Sequence, residues 1–167
     1  MASEWMPREE WEALVRGEEC PLCDAVAETV PENAYGTAVA DLRVSRLRLS
    51  SNQWVAGYCV LIAKTHVREP HELPREERVA FFEDLIQASA AIEQVVGADK
   101  MNVQILGNSV PHLHAHLIPR FYGDPAPGRP LDPNLGQLIL APEDIAQRIS
   151  ALQGVLATQN RGMSDDD

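Results

Sequence analysis

Two stretches of this chain alternate apolar and polar side chains. Met101–Ile105 does so with ordinary polar residues, and His112-Leu113-His114-Ala115-His116-Leu117-Ile118 does so with histidine in every polar place. Period-two patterning marks an extended strand, whose side chains point to opposite faces in turn. Gly107-Asn108-Ser109-Val110-Pro111 joins the two stretches, and Gly and Asn are turn formers, so a turn between two strands is expected. Tyr58–Ala63 is instead a continuous apolar run after Gly57, which predicts a buried strand. Between Tyr35 and Leu49, two short strands with a turn near Asp41-Leu42 are expected.

The helical period is clearest from Pro74 to Val96. Pro74 suits the first helical position and Glu76 and Glu77 place acids in the first turn. Phe82, Leu85, Ile86, Ser89, Ile92 and Val96 form the expected buried stripe, and Gly97 stops the helix. A second helix is predicted over Pro142–Thr158, and a short one within residues 3–19, which hold Trp5, Trp11 and Leu14. Residues 123–136 are dense in Gly, Pro and Asp and predict a loop; the tail ending in Asp165-Asp166-Asp167 is expected to be disordered.

At 167 residues, 45% hydrophobic and 23% charged, the chain suits one domain with a single core. Its net charge of −11 gives no basic footprint for nucleic acid or an anionic membrane, so neither is an expected partner. A phosphate-bearing ligand would have to rely on local donors against that field. No apolar stretch approaches membrane-spanning length, and Met1–Trp5 lacks a basic, apolar leader. A cytoplasmic protein with reduced cysteines is therefore expected.

Histidines two residues apart on a strand share a face, with neighbouring anchors roughly 7 Å apart. One such histidine is usually a satisfied core residue, but three would each need a partner. A zinc platform and a nucleophilic histidine both remain open at this point. Asn102 or Gln104 on the preceding strand, with Asn108 and Ser109 in the turn, would bring neutral donors to the histidine face. Such donors suit a phosphoryl group, stabilising its oxygens while a neutral imidazole attacks phosphorus.

Cys20-Pro21-Leu22-Cys23 is by itself a redox pair, half a zinc site or two ordinary thiols. Cys20, Cys23, His66 and His112 together would make a closed Cys₂His₂ site, leaving His114 and His116 for chemistry. His71 is expected at the surface, Trp5, Trp11 and Trp54 in packing, and Arg43, Arg46 and Arg48 on a solvated sheet face.

His112–Ile118 resembles the His-φ-His-φ-His-φ-φ signature of the histidine-triad (HIT) superfamily. The flanks Leu106–Pro111 and Pro119-Arg120 resemble its bacterial branch, as does Gly57–His66 its upstream strand. Cys20-Pro21-Leu22-Cys23 resembles the cysteine pair of its zinc-carrying members. The resemblance spans about residues 20–122, which sets off an N-terminal helical extension (1–19) and a C-terminal part (123–167) of loop, helix and acidic tail.

The resemblance implies an α+β fold, with a mainly antiparallel sheet, one long helix and a C-terminal helix, paired as a homodimer. It implies hydrolysis or transfer of a nucleotide at its α-phosphate, on dinucleoside polyphosphates or nucleoside phosphoramidates. His114 matches the nucleophile that carries a nucleotidyl intermediate, His116 its supporting residue, and Ser109 a phosphate or leaving-group contact. Cys20, Cys23, His66 and His112 match the ligands of a structural Zn²⁺. This sequence departs from the pattern in a short loop between Gln104 and Ser109 and at three residues. Tyr58 stands where His is usual, Ala63 where Pro is, and Ser50 near a ribose-holding Asp. A nucleotide-binding regulator without turnover, and a zinc hydrolase built on all three triad histidines, are the competing expectations.

Overall fold

Burial on both sides makes one strand the centre of the molecule. The computed structural model describes residues 5–27 and 32–162. Cys59–Ala63 (β4) is buried at all five positions. Cys59, Leu61 and Ala63 join a core with the helices, while Val60 and Ile62 join a second cluster on the opposite face. Two buried faces account for the unbroken apolar run.

Around it lies a six-stranded sheet of order β1-β2-β3-β4-β6-β5, every neighbouring pair antiparallel. The other strands are β1 (Glu32–Asn33), β2 (Gly36–Asp41), β3 (Ser45–Leu49), β5 (Lys100–Gln104) and β6 (His114–Arg120). The helices are α1 (Arg8–Val15), α2 (Pro21–Ala27), α3 (Arg75–Val96) and α4 (Pro142–Gly162). This is the expected α+β arrangement, with its antiparallel sheet, long helix and C-terminal helix. Helix α2, which carries Cys23, begins just after Cys20 and starts at a proline suited to the first helical position, was not anticipated. The expected tail at 163–167 lies outside the described residues, as do residues 3 and 4 of the expected N-terminal helix.

α3 and α4 cover one face of the sheet: Phe81, Leu85, Ala88 and Ile92 pack with Leu152 and Leu156 over Leu47, Leu61, Ala115 and Leu117. The stripe expected for α3 was misplaced around the helix. Leu85 and Ile92 are buried, but Phe82 and Ile86 are 39% and 59% exposed, while Ala80, Phe81, Ala88 and Ala91 face the core. Small alanines fit where two helices and a sheet converge, leaving the larger Phe82 and Ile86 outside. Asp84 is also buried on α3. It accepts the backbone N–H groups of Arg43 and Val44 and the Ser45 hydroxyl, clamping the β2–β3 turn to the helix.

Two other expectations are corrected. Arg48 is fully buried rather than solvated, and donates to the Gly36 carbonyl from Nε and Nη2. Trp5 is 71% exposed, touching Trp11 edge-on, so it is not a core residue. His71 is exposed, as expected. No helix among the described residues is long and apolar enough to cross a membrane.

Candidate functional site

The strand period holds for two of the three triad histidines. His114 and His116 lie on β6 opposite Ile62 and Val60, on the sheet face away from α3 and α4, where Leu22 and Ala25 of α2 also pack. His112 precedes β6 and leaves the ladder. There Leu113 N–H donates to the Val67 carbonyl, and His112 N–H to that of Val110. Its fully buried ring turns into a different cluster. The three histidines therefore do not form one face, and among the described residues they do not make a three-histidine metal centre.

The cluster His112 joins holds Cys20, Cys23 and His66, with one ligand atom from each inside 4.8 Å. His112 Nδ1 is 3.5 Å from each sulfur, His66 Nδ1 is 3.2 Å from Cys23 Sγ, and the two Nδ1 atoms are 3.2 Å apart. A tetrahedral zinc with ordinary bond lengths sets its nitrogen and sulfur ligands about 3.3–3.6 Å apart. Each imidazole uses its other nitrogen as a donor: His112 Nε2–H to the Ala63 carbonyl at 2.8 Å, His66 Nε2–H to the Val15 carbonyl at 3.1 Å. That tautomer directs two Nδ1 lone pairs at each other, which is repulsive unless a cation lies between them. Burial, then the neighbouring Cys20, pushes the Cys23 thiol up to about 12 without a metal. A coordinated dication reverses that preference and holds thiolates. The donor set thus fits a closed Cys₂His₂ site.

His114 and His116 face a cavity of 480 Å³, lined among others by Tyr35, Ser50, Asn52, Asn108 and Ser109. A second cavity, of 420 Å³, shares His116 and Tyr58 with the first and takes in Gln104 and Pro130–Asn134. Neither lining includes a lysine or arginine, and Asp132 is the one carboxylate. The structure thus brings Asn108 and Ser109 to the first cavity and Gln104, cross-strand partner of His116, to the second. It does not bring Asn102 to the histidines: Asn102 lies opposite Ile118 and accepts a hydrogen bond from Arg120 Nη1 at 2.7 Å.

His114 Nδ1–H donates to the His112 carbonyl at 2.6 Å. The lone pair is then on Nε2. Burial lowers the His114 pKa and, together with the nearby His114 ring, takes that of His116 down to about 4. Two neutral imidazoles, ring centroids 5.0 Å apart, therefore stand at the cavity wall near neutral pH.

A strap formed by residues 130–138 closes over this face. Asn52 Nδ2 donates to the Gly136 carbonyl, and Asn52 Oδ1 accepts the Leu138 N–H. Gln53 N–H donates to the Leu138 carbonyl, and Arg148 on α4 donates to Gln53 Oε1 at 2.8 Å. At Gly136 the strap packs so close to Trp54 that a Cβ would stand 2.3 Å from the indole nitrogen. Sequence reasoning missed Asn52 and Gln53, whose partners lie some 85 residues away. It registered Tyr58 only as a departure. Yet the Tyr58 hydroxyl lies 2.7 Å from His116 Nδ1. A phenol placed directly after Gly57, where the family pattern carries a histidine, was the available signal.

A family model described as the HIT domain matches residues 32–123, more than half of the chain. The chain belongs to the HIT family. Among solved structures, this HIT protein is similar to a histidine triad protein from Marinobacter aquaeolei VT8 (29% identity, TM-score 0.66), covering 75% of this chain and 91% of that one. It is similar to another from Bradyrhizobium japonicum (26% identity, TM-score 0.65), covering 73% and 91%. A zinc-bound histidine triad family protein from Mycobacterium smegmatis shares the fold at 21% identity and TM-score 0.62, over 86% and 97%. No curated protein matches the chain. HIT proteins generally bind and process nucleotides. The family match ends at Gly123, so the strap and α4 lie beyond the matched residues.

Proposed function

We propose that this HIT protein is a nucleotide hydrolase or nucleotidyl transferase acting at an α-phosphate through a covalent nucleotidyl-histidine on His114. The observation that carries the reading is the His114 tautomer: with Nδ1–H held by the His112 carbonyl, Nε2 is the free nucleophilic nitrogen at the cavity. In the first half-reaction Nε2 attacks the α-phosphorus, the bond to the leaving group breaks, and that group departs with the electron pair. In the second, water breaks the phosphorus–nitrogen bond, returning neutral His114 and a nucleoside monophosphate.

Ser109, Asn108 and the neutral ring of His116 are the proposed donors to the phosphoryl oxygens. The larger cavity suits the nucleoside, and the smaller one, with Gln104, suits the leaving group. Dinucleoside polyphosphates and nucleoside phosphoramidates both divide in this way.

The Cys20, Cys23, His66 and His112 cluster is proposed to hold a structural zinc, tying α2 to the end of β4 and the approach to β6. Reduced thiols there fit a cytoplasmic setting. A homodimer is proposed through the outer edge of β5, where Val103 is 41% exposed, and the adjoining exposed stripe Val79, Phe82 and Ile86 on α3.

Steady-state assays with a diadenosine polyphosphate and an adenosine phosphoramidate test the reading. His114→Ala is expected to retain its circular dichroism and melting temperature and to lose at least about a thousandfold in kcat, the scale seen when a nucleophile is removed. Undiminished turnover in that variant ends the covalent reading. Tight mononucleotide binding with no wild-type product would instead make the protein a binding regulator.

A further inference from the structure

His114 and His116 are held by different partners at the same ring atom. His114 Nδ1 meets a backbone carbonyl, which can only accept. His116 Nδ1 meets the Tyr58 hydroxyl at 2.7 Å, which can donate. Tyr58 is 5% exposed, and among the described residues its hydroxyl meets no other hydrogen-bonding partner. A buried hydroxyl that does not donate leaves its proton unsatisfied. Burial pushes the phenol up to about 12, so it keeps that proton near neutral pH. The ring planes are 24° from parallel and the centroids 6.1 Å apart, so the phenol and the imidazole lie nearly end to end, in line with this hydrogen bond.

We propose that Tyr58 is a positioning residue that donates to His116 Nδ1 and thereby places the single N–H of that ring on Nε2, available to the substrate. The two histidines then carry opposite tautomers. His114 offers a lone pair on Nε2, and His116 offers a hydrogen on Nε2. One backbone carbonyl and one phenol produce this division of labour, so a nucleophile and a hydrogen-bond donor coexist in two neutral imidazoles without any cationic side chain in the cavity linings. No proton is transferred by His116 in this role; it stabilises charge on a phosphoryl oxygen. Its catalytic consequence rests on the nucleotidyl-histidine reading, whereas the tautomer itself does not.

The test is a ring nitrogen–proton correlation spectrum of the zinc-loaded, nitrogen-15-labelled protein, with His116→Asn used to assign the signals. The expected wild-type spectrum shows His116 protonated on Nε2 and His114 on Nδ1. In Tyr58→Phe, which keeps the ring and removes only the hydroxyl, His116 is expected to become a mixture of tautomers while His114 is unchanged. In the same variant kcat is expected to fall about tenfold or more, below the loss for an oxyanion donor removed outright, with KM nearly constant. Tyr58→His, which restores a donor, is expected to recover part of that loss.

A wild-type His116 protonated on Nδ1 overturns the proposal, and this outcome is readable even if Tyr58→Phe folds poorly. An unchanged tautomer in Tyr58→Phe overturns it as well. A shifted tautomer with unchanged kcat overturns the positioning role. Absence of turnover in wild type, with the expected spectra intact, rejects the nucleotidyl-histidine reading and leaves the tautomer assignment standing.

Discussion

His112, His114 and His116 alternate in sequence but answer to three sets of partners: thiols and the Ala63 carbonyl, the His112 carbonyl, and the Tyr58 phenol. Burial holds His116 at about 4 against an ordinary 6.5. The folded state therefore binds this proton less tightly than the unfolded chain does. The stability contributed by neutral His116 is complete above pH 6.5 and is lost as the pH falls through 4. The melting temperature of His116→Asn should accordingly fall less steeply than that of wild type between pH 6.5 and 4. Parallel profiles would contradict the account of His116 as a buried neutral ring. The period-two spacing made His114 and His116 legible as neighbours on one face. The departure of His112 was not legible in that spacing. It depends on hydrogen bonds of the His112 and Leu113 backbone and on thiols some 90 residues away.

At the scale of elements, the strap over the cavities hangs largely on one side chain. Asn52 makes hydrogen bonds to the backbone of Trp54, Gly136 and Leu138. Losing them in Asn52→Ala is expected to cost about 1–3 kcal/mol, the range for hydrogen bonds removed from partners shielded from water. Amide exchange at Leu138 should then accelerate, and KM should rise more than kcat falls. Unchanged exchange at Leu138 would show that the strap is held by other contacts. The sequence announced residues 123–136 as a loop because Gly, Pro and Asp dominate there, but gave no sign of where the loop returns. For α3, its length and both ends were legible from Pro74, Gly97 and the acids of the first turn. Its buried face was not. Two apolar stripes lie side by side on this helix, and which one meets the sheet depends on space for Ala80, Ala88 and Ala91.

At the scale of the whole molecule, the cysteine–histidine cluster joins α1, α2 and the sheet. α1 enters it through the Val15 carbonyl on His66, α2 and the residue before it through Cys23 and Cys20, and the sheet through the Ala63 carbonyl on His112. Stripping metal with a chelator, or replacing Cys20→Ser with Cys23→Ser, should lower stability by more than about 4 kcal/mol, where metal loss commonly falls. For a chain of this length that is a drop of at least about 8 °C in melting temperature. Metal analysis should find one zinc in wild type and none in the double variant. Zinc retained without the thiols would place the site elsewhere. The exposed stripe on α3 makes a separate prediction: Phe82→Glu with Ile86→Glu should shift the protein from dimer to monomer in sedimentation. An unchanged state would locate any dimer on another surface. Cys20, Cys23, His66 and His112 were legible as a group because their types and spacing suit zinc and the family resemblance matches all four. The tautomers that turn both Nδ1 atoms into the cluster became visible only with the Val15 and Ala63 carbonyls in place.

The central claim is the free Nε2 of His114 as a nucleophile toward phosphorus. Rapid-quench intact mass spectrometry on wild type and His114→Ala, each mixed with a diadenosine polyphosphate or an adenosine phosphoramidate, tests it most directly. The account predicts a transient gain of one adenylyl group on wild type, decaying as adenosine monophosphate appears, and no gain on His114→Ala. An adduct of equal yield on His114→Ala, or product formed by wild type with no adduct at any quench time, would contradict it.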